Sequence, residues 1–487
     1  KHMIKRWSTR SKRWSGLLGP KRRSKVIEKE SLEKRAERER ETERDMGLES
    51  VGDLALHVIL TKLGPKETAT AACVNKKLRS LASEDSLWFK FCSQDLHLNH
   101  PLDPLGNSTP SFKVSYQLWR EAFSMYPWLL VMRVNRCWGR LKNWLDINFP
   151  EAKATLCKGV SEADIQESER ILKVKLPLPT RILYRFCDGQ ESVKQSLVSS
   201  HGSSLGLIGG YSFYQHFVNV YLLPLTEVIL ETKAIVRRPG FSRRSKYIVV
   251  AASSTYVEKF FFLNCTTGQL YVGTANLPTC GEMIPCVPNA LISSVHDFNG
   301  DQQQDAMLLW LEEHVRRLEN GVIKLREEGG FKSINLFPED SPLCSTAITN
   351  GVKVRASAVF VPESADLQNE NETYTFSYSI RMSLLPEGCV IHGICFSSCQ
   401  LHQRHWIIRA NDSVVSHVNG EAVIGQFPLL LPGGKEFVYE SCTPLPTSLG
   451  SIEGSYTFVP GRLKNPKGAP FEVEVARVPL QLPDYIF

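Results

Sequence analysis

The sequence lacks long hydrophobic runs, since nowhere do 18 or more apolar residues follow one another. A transmembrane helix needs about 20 such residues, so no membrane-spanning helix is expected. The first residues also lack the apolar core of a secretory signal peptide. We therefore expect a protein of the cytoplasm, the nucleus or both, with no membrane partner.

Disulfide and catalytic signatures are missing as well. The 13 cysteines are an odd number, scattered from Cys73 to Cys442 without the spacing of a disulfide framework, so we expect reduced thiols. We find no Gly-x-Ser-x-Gly elbow, no P-loop lysine and no recognisable motif of paired carboxylates. No cysteine stands in a context that marks a nucleophile. The prediction is a non-catalytic protein without a cofactor.

Charge is unevenly distributed along the 487 residues. The chain carries 58 Lys and Arg against 51 Asp and Glu, a net charge of +7. Residues 1–44 hold 16 Lys and Arg against 7 Glu, which leaves a net charge of −2 for all the residues that follow. Nucleic-acid binding usually requires a basic surface, so we do not expect nucleic acid as a partner of the body of the protein.

Residues 1–45 form a charged leader with few apolar residues. An alternating run of Glu and Arg over 28–44 can form a solvated helix but cannot bury a core, so we predict disorder or weak helicity. The basic cluster 21–25 is a candidate nuclear localisation signal. Met46 is an alternative start, in which case the leader is an artefact of gene prediction.

Three short helices are predicted within residues 48–92. Apolar residues recur at three- and four-residue steps, and Gly64 with Pro65 ends the first helix because proline cannot continue its hydrogen bonds. Asp85 fits the N-cap of the third helix. So short a segment cannot cover all its apolar faces alone, and a partner helix is therefore expected.

This pattern resembles the F-box, which docks a substrate receptor onto the Skp-type adaptor of an SCF (Skp–cullin–F-box) ubiquitin ligase. The matching residues are 59–64, Val74 with Leu78, 81–83 and Leu87-Trp88, whereas Val51-Gly52 replaces the usual Leu-Pro. The resemblance places the F-box at residues 46–95 and implies an adaptor-binding set of mainly apolar side chains. That set is Leu56, Ile59, Leu60, Leu63, Pro65, Val74, Leu78, Leu81 and Trp88.

Residues 96–150 are predicted to be a helical linker rich in aromatic and basic side chains. Such residues can form a stacking groove for single-stranded nucleic acid. More often they form a core between domains with arginines at its edge, which is the interpretation that we favour. The residues concerned are Trp119, Phe123, Trp128, Trp138, Trp144 and Phe149, with Arg133, Arg136 and Arg140.

Two helices are predicted to follow this linker. Ser161 and Asp164 fit a capping box at the start of the first helix, which ends before a pair of prolines. The second helix covers 181–187 and stops at Asp188-Gly189, where glycine is expected to supply a left-handed C-cap.

Strands are predicted next, at 246–251, 257–263 and 269–273, followed by a helix over 304–319 that ends at Asn320-Gly321. Together with the two preceding helices, this order resembles the SUKH (Smi/Knr-like) family. The resemblance implies an α+β protein-interaction module over residues 151–325.

From residue 349 onward the hydrophobic pattern changes to a period of two. Short strands separated by Gly and Pro turns are predicted at 352–356, 374–380, 405–408 and 437–439, a pattern typical of a β-sandwich. Residues 404–408, 423–428, 431–433, 439–441, 444–445 and 450–456 closely resemble the ApaG domain. The resemblance implies an all-β sandwich of the Ig or fibronectin type over residues 340–487.

One departure from the ApaG pattern affects its expected ligand. The family usually has Gly-x-Gly, a possible phosphate-approach loop, where this chain has Gly420-Glu421-Ala422. Alanine is expected to prevent a positive φ and Glu421 to repel a phosphate, so nucleotide binding is not expected. The candidate target-binding residues are instead Glu421, Gly425, Gln426, Pro428, Gly450, Glu453 and Tyr456.

A run of cysteines and histidines in the same region suggests a zinc site. Its members are Cys395, Cys399, His402 and His405, with Cys389 nearby. Zinc sites typically use closely spaced pairs separated by a longer loop, whereas these four ligands lie within 11 residues. We predict no metal site.

The order of domains predicts a multidomain α+β protein and resembles the Skp-interacting-partner type of plant F-box protein, with F-box-only relatives in animals. The resemblance implies a non-catalytic substrate-recognition subunit of an SCF ubiquitin ligase. Its partners would be the Skp-type adaptor, cullin through that adaptor, and an unknown target marked for proteasomal degradation. Two alternatives remain: binding of a small ligand or anion by the ApaG sandwich, and binding of nucleic acid by the basic leader.

Overall fold

A computed structural model describes residues 51–191, 204–214, 216–241, 244–253, 258–299, 302–328, 331–368 and 373–484. The prediction for the leader 1–45 lies outside these residues. The chain divides into two compact units. The first comprises the described residues up to Pro101 with Ser108–Gln117, and the second comprises Leu102–Asn107 with the described residues from Leu118 onward. No described helix is both long and apolar enough to cross a bilayer.

Four helices follow one another in the described part of the first unit, where the sequence predicted three. They are α1 (Asp53–Leu63), α2 (Pro65–Ala71), α3 (Lys76–Leu81) and α4 (Asp85–Leu96). Gly64 adopts a φ of +89° between the first two, as expected for a residue that ends a helix before proline. The second predicted helix, whose apolar pattern runs from Glu67 to Leu81, is divided because the Asn75 side chain accepts a hydrogen bond from the Leu78 N–H at 2.8 Å and so starts α3.

Asp85 has a different role from the predicted one. The N-cap of α4 is Glu84, and Asp85 is the first helical residue. The Asp85 carboxylate instead accepts a hydrogen bond at 2.8 Å from the N–H of Phe112, the first residue of α5 (Phe112–Ala122). The prediction that Asp85 caps α4 was therefore wrong, because its carboxylate caps the start of α5 instead.

The core of the first unit is apolar and centred on Trp88. The indole ring lies 5.5 Å from the ring of Phe91 and 5.5 Å from that of Tyr116, measured between centroids. Its N–H donates to the carbonyl oxygen of Ala82 at 2.7 Å, which satisfies the one polar group of the buried ring. Leu56, Leu60, Leu78, Leu81, Leu87, Phe91 and Leu96 are also buried.

The second unit contains seven further helices among its described residues. They are α6 (Trp128–Asn148), α7 (Pro150–Ala154), α8 (Glu162–Leu172), α9 (Leu178–Phe186), α10 (Leu225–Val236), α11 (Leu277–Cys280) and α12 (Ala306–Glu319). Arg133 of α6 forms a bidentate ion pair with Glu312 of α12, at 2.8 and 2.6 Å. Arg140 pairs with Glu319 in the same way, at 3.1 Å. These pairs hold α6 against α12 within the unit.

The aromatic residues of the predicted linker are enclosed within the second unit. Trp119, Phe123, Trp138 and Phe149 are buried, and Trp128 and Trp144 are half-buried. The Trp138 indole N–H donates to the carbonyl oxygen of Leu183 in α9 at 3.2 Å. Buried rings offer no open stacking surface to a nucleic acid.

The predicted capping box is confirmed, whereas the next helix differs from the prediction. Ser161 Oγ accepts from the Asp164 N–H at 3.2 Å, and the Asp164 carboxylate accepts from the Ser161 N–H at 3.0 Å. Helix α9 begins at Leu178 rather than at residue 181, because proline is tolerated in the first turn of a helix.

Gly189 is not the cap of α9, contrary to the prediction. The helix ends at Phe186, and Cys187 is already extended with a φ of −160°. Gly189 does have a positive φ of +69°, but a Cβ at this position would lie 2.5 Å from the carbonyl oxygen of Leu222. Close approach of the two backbones therefore requires glycine here.

An eight-stranded sheet forms the centre of the α+β part of this unit. Its strands are β1 (Gly209–Phe213), β2 (His216–Leu222), β3 (Tyr247–Ser253), β4 (Phe260–Asn264), β5 (Leu270–Gly273), β6 (Met283–Pro285), β7 (Lys324–Glu328) and β8 (Phe331–Asn335). Their order is β6-β5-β4-β3-β2-β1-β8-β7, and only the β1–β8 pair is parallel among the described pairs. Gly210 lets β1 approach β2, because a Cβ there would lie 1.6 Å from the Val218 carbonyl oxygen.

The predicted strands and long helix of this part are close to the observed ones. β3 and β5 match their predictions within two residues, and β4 begins at Phe260. Residues 254–257, which include the predicted start of β4, lie outside the described residues. Helix α12 has Asn320 as its C-cap, and Gly321 follows with a φ of +68°, which confirms the predicted end of the helix.

Two antiparallel sheets make up the C-terminal sandwich. One has the order β17-β11-β10-β9, with β9 (Cys344–Thr349), β10 (Val352–Phe360), β11 (Tyr374–Leu384) and β17 (Phe437–Leu445). In the other, β15 (Ser413–Glu421), β14 (Cys399–Ala410), β18 (Leu449–Arg462) and β20 (Phe471–Gln481) lie side by side, while β16 (Leu429–Leu430) pairs with β14 and β19 (Asn465–Pro466) with β18. A separate hairpin is formed by β12 (Cys389–Ile391) and β13 (Ile394–Phe396). The multidomain α+β class with an all-β C-terminal part is confirmed.

A buried cluster of charges joins the eight-stranded sheet to the sandwich. Glu339, between β8 and β9, lies 2.7 Å from Arg381 of β11 and 3.1 Å from Arg326 of β7. Arg355 of β10 and Lys324 of β7 are each 3.4 Å from the same carboxylate. Burial alone would raise the pKa of Glu339, but these cations together hold it below its ordinary value.

Candidate functional site

Helix α1 is apolar around almost its whole circumference. Seven of its 11 residues are Leu, Ile, Val or Ala, although only Leu56 and Leu60 among them are buried in the core of the first unit. Leu54, Val58, Ile59 and Leu63 are exposed, Leu54 to 81% and Val58 to 51%. A helix that is apolar on all sides is normally covered on all sides, so this face is a candidate protein-binding surface.

The exposed residues of α1 form two pairs of neighbours. Residues four apart on a helix lie next to each other, which brings Leu54 beside Val58 and Ile59 beside Leu63. We call these four residues the α1 face. Lys62 is the one cation exposed on the outward side of the helix among the described residues of α1.

Polar contacts hold α1 in place without using the α1 face. His57 lies 3.1 Å from the Glu84 carboxylate and 3.4 Å from the Lys90 amine. Lys77 pairs with Asp53 at 3.1 Å and donates to the Val51 carbonyl oxygen at 3.0 Å. Asp53 and His57 are thus occupied within the unit, whereas Lys62 and the four apolar side chains are exposed.

The nine predicted adaptor-binding residues fall into two groups. Ile59, Leu63 and Val74 are exposed and Pro65 is half-buried, whereas Leu56, Leu60, Leu78, Leu81 and Trp88 are buried. The buried five present almost no surface to a partner. Their role in binding stays a prediction, and the structure gives them a role in holding the helices together.

Leu54 and Val58 were not among the predicted adaptor-binding residues. They lie outside the 3.6-residue apolar stripe that identifies the core side of α1. The sequence signal that could have identified them is the number of apolar residues on α1. The helix has more of them than the core stripe needs in a unit of this size.

The predicted target-binding residues of the sandwich lie in two places. Glu421 is the last residue of β15, and Gly425, Gln426 and Pro428 belong to the loop that follows it; the first three are exposed and Pro428 is half-buried. Gly450, Glu453 and Tyr456 are on β18. Gly450 and Tyr456 are buried, and Glu453 pairs with Arg409 at 2.9 Å, so these three do not form one open surface with the loop.

The loop after β15 contradicts one step of the sequence argument. Ala422 has a φ of +63° and Ile424 a φ of +43°, although side-chain-bearing residues were expected to avoid this region. The Ala422 N–H donates to the His402 carbonyl oxygen at 3.0 Å, and Val423 and Gln426 exchange two backbone hydrogen bonds at 3.0 and 2.8 Å. These bonds hold the strained turn, so the expectation that alanine prevents a positive φ was wrong.

A cleft of about 560 Å³ lies between the two sheets of the sandwich, next to this loop. The side chains of Tyr378, Trp406 and Tyr439 form its walls, and Arg404 also lines it. The sequence did not indicate this cleft. Its residues come from four strands and the loop after β15, far apart along the chain, and only the packing of the two sheets brings them together.

Of the residues of the suggested zinc site, Cys399, His402 and His405 lie along β14, whereas Cys395 lies on β13 and Cys389 on β12. Cys395 is exposed on β13 and donates to the Glu387 carbonyl oxygen at 3.1 Å, while Cys399 is buried on β14. Within the described ranges, no group of three or more His, Cys, Asp or Glu side chains is arranged to hold a metal ion.

Comparison with family models matches two segments of the chain. Residues 50–90 match the F-box domain, and residues 364–460 match the ApaG domain. The first segment contains α1 to α3 and the α1 face, and the second contains the cleft of the sandwich.

Several known proteins are similar to this chain. F-box protein SKIP16 of Arabidopsis thaliana is 61% identical over 445 residues, which cover 91% of this chain and 100% of that protein. F-box only protein 3 of Homo sapiens is 26% identical over 431 residues, covering 84% of this chain and 79% of that protein. Protein ApaG of Bordetella pertussis is 36% identical over 124 residues, covering 26% of this chain and 82% of that protein.

Proposed function

Because the chain belongs to the F-box protein family and carries a C-terminal ApaG domain, we propose that it is the substrate-recognition subunit of an SCF E3 ubiquitin ligase. In this role it binds a Skp-type adaptor through the first unit, and cullin through that adaptor. The second unit binds a target protein for ubiquitination and proteasomal degradation. The chain performs no catalysis itself.

The observation that carries this proposal is the α1 face. Four large apolar side chains project from one helix into solvent. Complete burial of a fully exposed side chain of this kind contributes about 1.5–3 kcal/mol, and the half-exposed ones contribute correspondingly less. A partner that encloses the exposed sides of the helix covers all four, and a few apolar anchors usually carry much of the affinity of an interface. Leu56, Leu60, Leu78, Leu81 and Trp88 act indirectly, by fixing α1 on the core.

In this proposal the second unit binds the target protein and holds it in a fixed position. We infer that residues 151–325 form a SUKH-like interaction domain and that the sandwich carries target-binding surface, including Glu421 at the end of β15 and Gly425 and Gln426 in the loop after it. The charge cluster around Glu339 holds these two parts in a fixed arrangement. A target held in this way is presented to the ubiquitin-charged enzyme at a raised effective concentration.

The test is binding of the full chain to a Skp-type adaptor, by calorimetry or biolayer interferometry. The double variant Ile59→Asp and Leu63→Asp places two carboxylates in the apolar interface and should weaken binding at least about a hundredfold. The matched control is Leu129→Asp with Ile147→Asp, which alters two exposed apolar residues of α6 and should bind like the wild type.

Two results would overturn the proposal. A wild-type chain with a cooperative unfolding transition that does not bind any Skp-type adaptor is not an SCF subunit. Equal binding by the α1 double variant and the α6 control would place the adaptor elsewhere. Circular dichroism of each variant establishes that lost binding does not reflect lost helix.

A further inference from the structure

The cleft of the sandwich lies along its open side. On the other side the two sheets approach each other, where β20 packs against β9 and β10. Along the open side run β15 and β17, the outermost strands of the two sheets. The cleft therefore has a strand edge on each side and opens to solvent between them.

The interior of the cleft suits an apolar side chain. The rings of Tyr378 and Trp406 meet edge to face at 6.0 Å, and the Tyr439 hydroxyl is bonded to the Tyr456 hydroxyl at 2.7 Å. With its hydroxyl occupied in this way, Tyr439 presents mainly ring surface to the cleft. Val415 and Ile424 are exposed at the mouth and extend this apolar surface outward.

Arg404 gives the cleft a positive charge without a counter-ion. It lies on β14 and donates to the carbonyl oxygens of Glu421 and Ala422, at 3.1 and 2.5 Å. Carbonyl oxygens do not neutralise a guanidinium, and none of the described carboxylates pairs with it. Arg409 on the same strand differs, because it pairs with Glu453 at 2.9 Å. An occupant with a carboxylate would complement Arg404.

The edge strand β15 can hold an extended chain beside the cleft. Within the described part of the chain it pairs with β14 alone, so the backbone groups on its outer side are available to an added strand. Ser416 and Val418 of β15 line the cleft. Every second residue of an added strand would face the same way, toward the cleft.

We propose that an extended segment of the target protein adds to β15, with an apolar side chain beside Trp406 and an Asp or Glu carboxylate at Arg404. Arg404 and Trp406 are two residues apart and both line the cleft, so the segment carries its apolar and acidic residues two positions apart. This inference rests on the proposed function, because it names the kind of target sequence that the receptor recognises.

A phosphate fits the cleft less well than a carboxylate. One guanidinium stands among apolar walls, whereas phosphate sites usually combine several donors. The N–H groups of Ala422, Val423 and Gln426, which border the cleft, are all used in hydrogen bonds within the chain. Displacement of the bound peptide by inorganic phosphate or a nucleotide is therefore an outcome that would overturn the proposal.

The experiment uses the full chain and an array of labelled heptapeptides, measured by fluorescence polarisation at about 150 mM salt. Each peptide has one apolar residue, varied from Val to Trp, two positions from a residue that is Asp, Glu, Asn or Lys, with threonine elsewhere. The acidic peptides should bind at least about tenfold more tightly than the Lys peptides. Arg404→Gln should remove this preference, and Arg409→Gln, the matched control on β14, should keep it.

A second pair of variants keeps the result interpretable if Arg404→Gln unfolds the sandwich. Arg404→Lys retains the charge and should retain the preference for acidic peptides, while Ile424→Asp at the mouth adds a carboxylate that offsets Arg404 and should remove the preference. Equal binding of acidic and basic peptides by the wild type, or a preference that survives Arg404→Gln, would overturn the proposal. Adaptor binding is measured separately, so failure of the SCF proposal and failure of the cleft proposal give different results.

Discussion

Helix α1 of the first unit exposes four large apolar side chains, whereas the second unit buries Glu339 with Arg326 and Arg381, the last of them only 1% exposed. Exposed apolar side chains and buried charges are each unfavourable unless a partner group covers or neutralises them. Exposed apolar surface gains stability from a partner outside the chain, and buried charge requires a counter-ion inside it. The comparison separates a surface suited to binding another protein from a contact that fixes the chain's own domains.

In the buried cluster around Glu339, both burial and a neighbouring arginine disfavour the charged form of Arg381. Burial lowers the pKa of Arg381, and the nearby Arg326 guanidinium lowers it further, while Glu339 opposes both. Arg381 Nη1 lies 2.7 Å from Glu339, although the angle is poor for a hydrogen bond. The carboxylate of Glu339 is thus the group on which the buried arginines depend.

The largest effect is expected from Glu339→Gln. Without the carboxylate, Arg381 stays buried with no adequate counter-ion, which should lower the free energy of unfolding by about 3–5 kcal/mol. Urea unfolding followed by tryptophan fluorescence measures the change. Glu167→Gln is the matched control, because its carboxylate pairs with Arg170 on the exposed side of α8 and its loss should leave stability nearly unchanged. Equal losses of unfolding free energy in Glu339→Gln and Glu167→Gln would mean that the buried ion pairs stabilise the protein no more than an exposed pair does.

An intermediate effect is expected in α1, where neighbouring residues should respond differently. Leu60→Ala removes a buried side chain and should lower the free energy of unfolding of the first unit by about 3 kcal/mol. Ile59→Ala alters an exposed side chain and should lower it by less than about 1 kcal/mol, while weakening adaptor binding. Thermal unfolding and the adaptor-binding assay measure the two properties. The comparison fails if Ile59→Ala unfolds the unit as readily as Leu60→Ala does.

A smaller effect is expected from acid, through His314 of α12. Burial lowers the pKa of His314 to about 4, and its Nε2 lies 3.0 Å from the carbonyl oxygen of Leu207. The unfolded chain takes up this proton near pH 6.5 and the folded chain only near pH 4, so stability falls as the pH is lowered between these values. The loss should reach about 2 kcal/mol at pH 5 and vanish above pH 6.5.

His314→Gln isolates this contribution. Glutamine stays neutral and can still donate to Leu207, so the variant should lose part of the pH dependence between pH 6.5 and 5. Unfolding free energies measured across this range would show it. An unchanged slope in the variant would assign the acid sensitivity to other groups.

Features that depend on neighbouring residues could be predicted from the sequence. Gly64 with Pro65 ends α1, Ser161 with Asp164 starts α8, and the period-two pattern identifies the strands of the sandwich. Each of these signals lies within a few residues and reflects backbone geometry or alternating burial. The family resemblance added the F-box and the ApaG domain, which local patterns alone would not have named.

Features that depend on distant residues could not be predicted in this way. Arg326, Glu339 and Arg381 come from three separate segments, and only the packing of the sandwich on the eight-stranded sheet brings them together. The cleft around Arg404 is similar, because its walls belong to strands of two sheets. Composition identified the charged residues but not which of them would be buried together.

Gly210 offers a criterion for recognising remote relatives of the eight-stranded sheet. A side chain of any size at this position would collide with the neighbouring strand, so β1 and β2 could not pair in their present register. Overall sequence identity says little about distantly related chains. The requirement for glycine at this position, by contrast, holds in any chain that pairs β1 and β2 in this register. An aligned chain with a larger residue here must build this part of its sheet differently, whatever its overall similarity.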